Sequence, residues 1–222
     1  MREQTLAREA ILSILVHGLE GLDIVSRRYS IPKNHLINIL EKNNIILSEE
    51  NLRRLDLAMK YIELGGDAER VSDYLSWSDF EGFVQELLRK YGFDVIRNLR
   101  APPPRGFEID IIGVDLQRRI LLVIDCKHWR RSRESILAEV AENLIERINR
   151  LFQRCIYILR INPRLKGEHL VIPMIVTLKE ISSRKIGENV LVTPITRFRD
   201  LMNNLEYYIS ELELKPLKRT CI

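Results

Sequence analysis

At 222 residues, 45% hydrophobic and 30% charged, the chain has room for one large domain or two small ones, and its composition excludes a fibrous or low-complexity protein. No apolar stretch approaches the length that crosses a bilayer, and an amphipathic pattern, not a signal-peptide core, follows Met1-Arg2-Glu3-Gln4; an intracellular, cytoplasmic protein with no membrane partner is expected. The formal charge is +4 with a pI near 9.0, which mildly favours an anionic partner, and three cysteines far apart in sequence, Cys126, Cys155 and Cys221, predict neither a zinc site nor a disulfide.

The first part reads as helical. Leu6, Ala10, Ile11, Ile14 and Leu15 recur at helical spacing. A short helix is predicted from about Leu22 to Tyr29. Ser30-Ile31-Pro32 then breaks the chain, because Pro cannot continue a helix and restricts its predecessor. A second helix starts at Pro32 or Lys33, with Leu36, Ile37 and Leu40 inside. Two short helices around a tight turn have the look of a helix-turn-helix. A further helix is expected, capped by Ser48, with Leu52, Leu55, Met59 and Ile62 inside and Gly65-Gly66 at its end.

The pattern changes near Ser76. Phe80, Phe83, Val84, Leu87, Leu88 and Tyr91 share one helical face, and Gly92 stops that helix. Strands are predicted over Phe93–Arg97, Phe107–Val114 and Ile120–Lys127, with a hairpin turn over Asp115–Arg118. A helix follows from Glu134 to Leu151, with Leu137, Val140, Leu144 and Ile148 inward. "CIYILRI", "HLVIPMIV" and "VLVTPI" read as strands, and a last helix carries Phe198, Leu201, Met202, Leu205 and Ile209. The order predicts an α/β fold, a mixed sheet flanked by helices. The expected boundaries are a helical module over 1–75, an α/β domain over 76–215 and a tail over 216–222.

The chemistry concentrates at "VIDCKHW", Val123–Trp129, where a strand of pure hydrocarbon ends in charge. Asp125 and Lys127 share a strand face. Asp110 lies 125 − 110 = 15 residues earlier, on the strand that a hairpin brings alongside. Glu81 sits near the start of the preceding helix. Carboxylate oxygens suit Mg²⁺, with Mn²⁺ as a substitute, and such an ion stabilises phosphate charge and acidifies a bound water. Lys127 would hold that water or stabilise developing charge. The carbonyl of Cys126 points along the sheet and completes the coordination, while its thiol packs in the core.

These residues resemble the PD-(D/E)XK nuclease superfamily. "FEIDIIGVDLQRRILLVIDCKHW" is similar to its D…DxK motif, with Asp110 followed by Asp125-Cys126-Lys127, although Ile109 stands where the superfamily's name has proline. "FEGFVQELLRKYGFDV" resembles the first helix and strand of Mrr-like restriction endonucleases and archaeal Holliday-junction resolvases. The resemblance runs from about Trp77 to Thr193. It implies a restriction-endonuclease-like sheet, a divalent metal, cleavage of DNA and a place for Glu81 in the acidic site.

Each feature has a plainer competitor. A lone DxK triplet also occurs at strand ends that simply reach solvent. Ser78-Asp79-Phe80-Glu81 matches the capping box S-x-x-E, which would make Glu81 a cap. Glu108 is expected to turn away from Asp110 towards solvent or a salt bridge. The run His128, Trp129, Arg130, Arg131 and Arg133 is read as a DNA-backbone clamp, with Arg100 and Arg105 as a basic lip, against a solvated loop. Lys33, Asn34 and His35 would meet base edges if the N-terminal helices bind DNA, although such modules also serve packing. The sequence therefore predicts a magnesium-dependent DNA endonuclease. A resolvase of branched DNA and a non-catalytic DNA-binding protein are the alternatives. Double-strand cutting often needs two active sites, which makes a homodimer an expectation of the class.

Overall fold

The computed structural model describes residues 3–47, 54–104, 106–129 and 134–222. It divides into two units, Met1–Phe83 and Val84–Ile222.

The first unit contains helices α1 (Glu3–His17), α2 (Gly21–Tyr29), α3 (Lys33–Lys42), α4 (Arg54–Glu63) and α5 (Ala68–Ser72), and the start of α6 (Trp77–Lys90). Its core comes from Ala10, Ile11 and Ile14 of α1, Leu22 and Val25 of α2, and Leu36, Ile39 and Leu40 of α3. The approach of α1 and α2 requires Gly21, where a Cβ would lie 2.3 Å from the Ser13 carbonyl oxygen. Between α2 and α3, Ser30 takes a left-handed φ of 52° and its N–H donates to Ser26 O. The Ile31 N–H donates to the same carbonyl, and Ser26 Oγ returns a bond to Ile31 O. The helix end is thus satisfied by its own turn.

Two expectations shift here. Ile39, not Ile37, joins Leu36 and Leu40 inside α3. The inward face of α4 is Leu57, Ala58 and Tyr61, while Leu55, Met59 and Ile62 are half-buried. The expected cap Ser48 and core residue Leu52 lie outside the described residues.

Among the described residues the second unit holds a seven-stranded mixed sheet flanked by helices. Its strands are β1 (Asp94–Ala101), β2 (Phe107–Asp115), β3 (Ile120–Lys127), β4 (Gly167–Thr177), β5 (Lys185–Ile186), β6 (Val190–Pro194) and β7 (Leu217–Cys221). The order is β1-β2-β3-β4-β6-β5, with β7 beside β4. β1, β2 and β3 form an antiparallel meander, whereas β3–β4 and β4–β6 are parallel. The predicted turn closes as expected, with Asp115 Oδ1 accepting from the Gln117 and Arg118 N–H groups. α7 (Leu137–Gln153) lays Leu137, Ala141, Leu144, Ile148 and Leu151 into one cluster with Leu121, Val123, Val171, Ile175 and Val192 of the sheet.

Pro173 is tolerated in central strand β4 because of where it falls. It faces Val123 across the parallel pair, and on the other edge β7 reaches only Val171 while β6 begins at Met174. The missing donor lies in that gap.

Three readings are corrected. "CIYILRI" forms the short helix α8 (Ile156–Leu159), with Ile158 buried and Ile156 and Ile161 exposed. A short apolar run is ambiguous by period alone. The last helix is two, α9 (Phe198–Asn203) and α10 (Leu205–Glu211), separated at Asn204. The expected tail at 216–222 is largely β7, and a disulfide joins Cys221 to Cys155, with Cα atoms 5.5 Å apart. The two cysteines are 66 residues apart, Cys155 at the start of α8 and Cys221 at the end of β7. Cys126 remains a buried thiol, as its strand parity predicts.

Candidate active site

The β2–β3 ladder runs from Asp115↔Ile120 to Ile111↔Ile124. The next step would set Asp110 opposite Asp125. There the regular ladder gives way to a side chain, because Asp110 Oδ2 accepts the Cys126 N–H at 2.8 Å. The break extends to β1, whose pairing with β2 skips from Arg97↔Ile111 to Leu99↔Ile109. Asn98, at the skipped step, has φ 52°, a conformation Asn tolerates better than most residues.

This local defect turns the strand. The core face shared with α7 passes from Phe107 and Ile109 to Ile112 and Val114 of β2, and from Ile96 to Leu99 of β1. Counted back from Val114 and Ile112, position 110 falls on the face of Leu121, Val123 and Asp125. Counted forward from Phe107 and Ile109, Glu108 falls on the opposite face. Regular alternation would have put Glu108 and Asp110, two residues apart, on one side. The parity change separates them, and the Glu108 carboxylate pairs with Arg100 Nη2 at 2.6 Å.

Asp125 is 1% exposed. A buried carboxylate needs compensating charge, since leaving one unpaired costs roughly 3–5 kcal/mol. Two cations supply it: Lys127 Nζ lies 2.7 Å from Oδ2, and Arg147 Nη2 lies 3.0 Å from Oδ1. The Arg147 contact is a hydrogen bond. Lys127 closes an ion pair on Oδ2, so both oxygens of the buried carboxylate face a cation. Lys127 O accepts the Leu178 N–H, so the backbone at 127 faces β4. Backbone groups alternate between the edges of a strand. Cys126 therefore turns its N–H and C=O towards β2, on the Asp110 side.

These groups suit a hard divalent cation. Two carboxylates and a backbone carbonyl make the oxygen set that Mg²⁺ accepts with water completing its shell. Among the described residues no three His, Cys, Asp or Glu side chains come together as a cluster able to hold a metal.

Glu81 lies in the first unit, on α6, and is 8% exposed. It is not the cap. The box forms two residues earlier, where Ser76 Oγ donates to Asp79 Oδ2 at 2.7 Å and the Asp79 N–H donates to Ser76 Oγ at 3.2 Å. Glu81 Oε1 instead accepts from Trp77 Nε1 at 2.6 Å.

Lys33, Asn34 and His35 are exposed in the first turn of α3, with Lys33 Nζ 2.8 Å from Asp23 Oδ2. Exposed pairs such as Lys33–Asp23 and Arg100–Glu108 are worth only about 0–1 kcal/mol, so a phosphate can displace either partner. His128 and Trp129 are half-buried, and Trp129 packs against the sheet core. Arg105, Arg130, Arg131 and Arg133 lie outside the described residues. Sequence reading missed Arg147. Its signal was an arginine three residues after Leu144 and beside Ile148, on the edge of the inward face of α7.

The sheet and its D…DxK edge are those of a nuclease-type α/β domain. Residues 72–158 match the Mrr-type family model described as a restriction endonuclease, in agreement with the sequence resemblance to Mrr-like nucleases. No curated protein matches. Among solved structures, protein VC1899 from Vibrio cholerae is similar at 13% identity and a TM-score of 0.34, over 95% of this chain and 55% of that one. A chain from the Thermococcus gammatolerans assembly of McrB AAA+ hexamers with bound McrC is similar at 14% identity and a TM-score of 0.32, over 90% and 52%. The chain thus spans about half the length of the solved chains it matches. Among the described residues no helix is long and apolar enough to cross a membrane.

Proposed function

We propose that the chain is a metal-dependent DNA endonuclease. The observation that carries this reading is Asp125: a buried carboxylate whose Oδ2 lies 2.7 Å from Lys127 Nζ, next to the Asp110–Cys126 junction. Asp110, Asp125 and the Cys126 carbonyl would hold Mg²⁺, or Mn²⁺ in its place. When bound, the ion offsets charge on the scissile phosphate and lowers the pKa of a water. Lys127 Nζ orients the attacking water or stabilises the phosphorane. The water oxygen bonds to phosphorus, one P–O ester bond breaks, and the departing sugar oxygen gains a proton. The products are a phosphate monoester and a hydroxyl end. The resemblance adds Glu81 to this acidic set.

DNA is the proposed partner of both units. Lys33, Asn34 and His35 occupy the start of the second helix after a tight turn, where a recognition helix meets base edges. Arg100 and His128 are the described candidates for backbone contact near the second unit's site.

Purified full-length protein is incubated with Mg²⁺ or Mn²⁺ and a panel of linear, circular, single-stranded and branched DNA. Cleavage abolished by EDTA and reduced about a hundredfold or more in Lys127→Ala is expected. Preference within the panel separates duplex cutting from junction resolution. The proposal fails if no DNA is cut while wild type and Asp125→Ala bind Mn²⁺ alike.

A further inference from the structure

Arg147 spans the place where β2 and β3 part. Nη2 donates to Asp125 Oδ1 at 3.0 Å on β3, and Nη1 donates to Glu108 O at 3.3 Å on β2. Nε donates to Asn143 O at 3.2 Å, one turn back on α7. The guanidinium is therefore fixed on three sides, to its own helix and to both strands beyond their last regular pair.

This has a consequence for Asp125. A carboxylate at a strand end can rotate about χ2, and that torsion is broad. Arg147 holds Oδ1, which turns Oδ2 towards Lys127, whose Nζ lies 2.7 Å from it. We infer that Arg147 is a positioning residue: it locks the Asp125 carboxylate so that Oδ2 is the atom presented to the metal, and it sets the gap between β2 and β3 in which the ion sits. The inference rests on the metal-site reading above and assigns no contact between Arg147 and DNA.

Charge alone argues the other way. A fixed cation beside the site repels a divalent ion, so a simple counter-ion would weaken metal binding and its removal would strengthen it. Arg147→Lys separates the two effects. Lysine keeps the positive charge, but one ammonium cannot reproduce a planar fork bonded to two strands.

The test is titration of DNA-free, full-length protein with Mn²⁺ alone, followed by the loss of free-ion EPR signal, with circular dichroism and melting as controls. Groups that orient a metal ligand typically contribute about 10–100-fold in affinity. Arg147→Lys is expected to weaken Mn²⁺ binding by that factor with the folded spectrum retained. Wild-type or tighter affinity in Arg147→Lys overturns the inference. Should that variant not fold, Arg147→Gln, which keeps one N–H donor group, decides by the same criterion; if neither folds, Arg147 is a residue of the fold and the inference is wrong. Asp125→Ala distinguishes the two levels. If it binds Mn²⁺ as wild type does, the metal-site reading itself has failed. If it loses Mn²⁺ while Arg147→Lys does not, only the positioning role has.

Discussion

At the scale of single residues, the charges at the end of β3 are explained by their partners. Asp125 is tolerable in a buried position because Lys127 and Arg147 flank its two oxygens. Lys127 was legible because it lies two residues along the same strand. Arg147 was not, because the contact depends on how α7 lies on the sheet, which a helical period does not encode. Glu81 shows the reverse. The sequence offered two roles for it, and the structure removes one, since Asp79 makes the capping box with Ser76. What remains is a nearly buried carboxylate that accepts from Trp77 Nε1. Glu81→Gln is informative because the amide oxygen still accepts that indole N–H while the charge is gone. Melting within about 1 °C of wild type is expected, since the hydrogen bond survives and its net worth is only about 1 kcal/mol. DNA cleavage should fall at least tenfold at fixed Mg²⁺, a modest threshold for the loss of a charged ligand. Full cleavage by a folded Glu81→Gln protein would remove Glu81 from the acidic set.

At the scale of elements, the start of α6 makes its own prediction. Ser76 and Asp79 satisfy each other's backbone N–H groups, and Asp79 also places negative charge in the first helical turn. Asp79→Ala should destabilise the protein by about 0.5–2 kcal/mol in urea unfolding, while leaving Mn²⁺ affinity unchanged. Equal loss in both measurements would mean that the cap and the metal site are coupled. The hairpin β2–β3 was readable almost residue for residue, because an apolar run, a turn and a second run leave few alternatives. Its defect was not. The skipped step at Asn98 and Asp110 reverses strand parity, and nothing in the alternation of "FEIDIIGVD" announces it. That defect brings Asp110 to the Cys126 N–H and sends Glu108 to Arg100. "CIYILRI" failed for a simpler reason: β-branched residues favour strands, but a single helical turn buries Ile158 and leaves Ile156 and Ile161 exposed.

At the scale of the whole molecule, the unexpected feature of the second unit is the bond between Cys155 and Cys221. Sequence distance argued against it, yet distance along the chain is what makes such a link effective. Closing a loop of 66 residues removes denatured-state entropy worth about 4 kcal/mol in the chain-entropy account. The link fastens β7, whose five residues pair with the first half of β4. The second half of β4 ends beside β3 at Thr177↔Lys127, so the strand that pairs with β7 at one end reaches the candidate site at the other. Reduction is expected to lower unfolding free energy by up to about 4 kcal/mol, read from urea transitions with and without reductant. A Cys155→Ala, Cys221→Ala double variant should reproduce the reduced protein and no longer respond to reductant. If β4 is rigid enough through its pairs with β3 and β6, Mn²⁺ affinity stays unchanged in the reduced protein below the transition. A parallel loss of Mn²⁺ binding would show that the far end of β4 helps to set the Asp125–Lys127 geometry. Coincident transitions before and after reduction would show instead that the disulfide adds no stability.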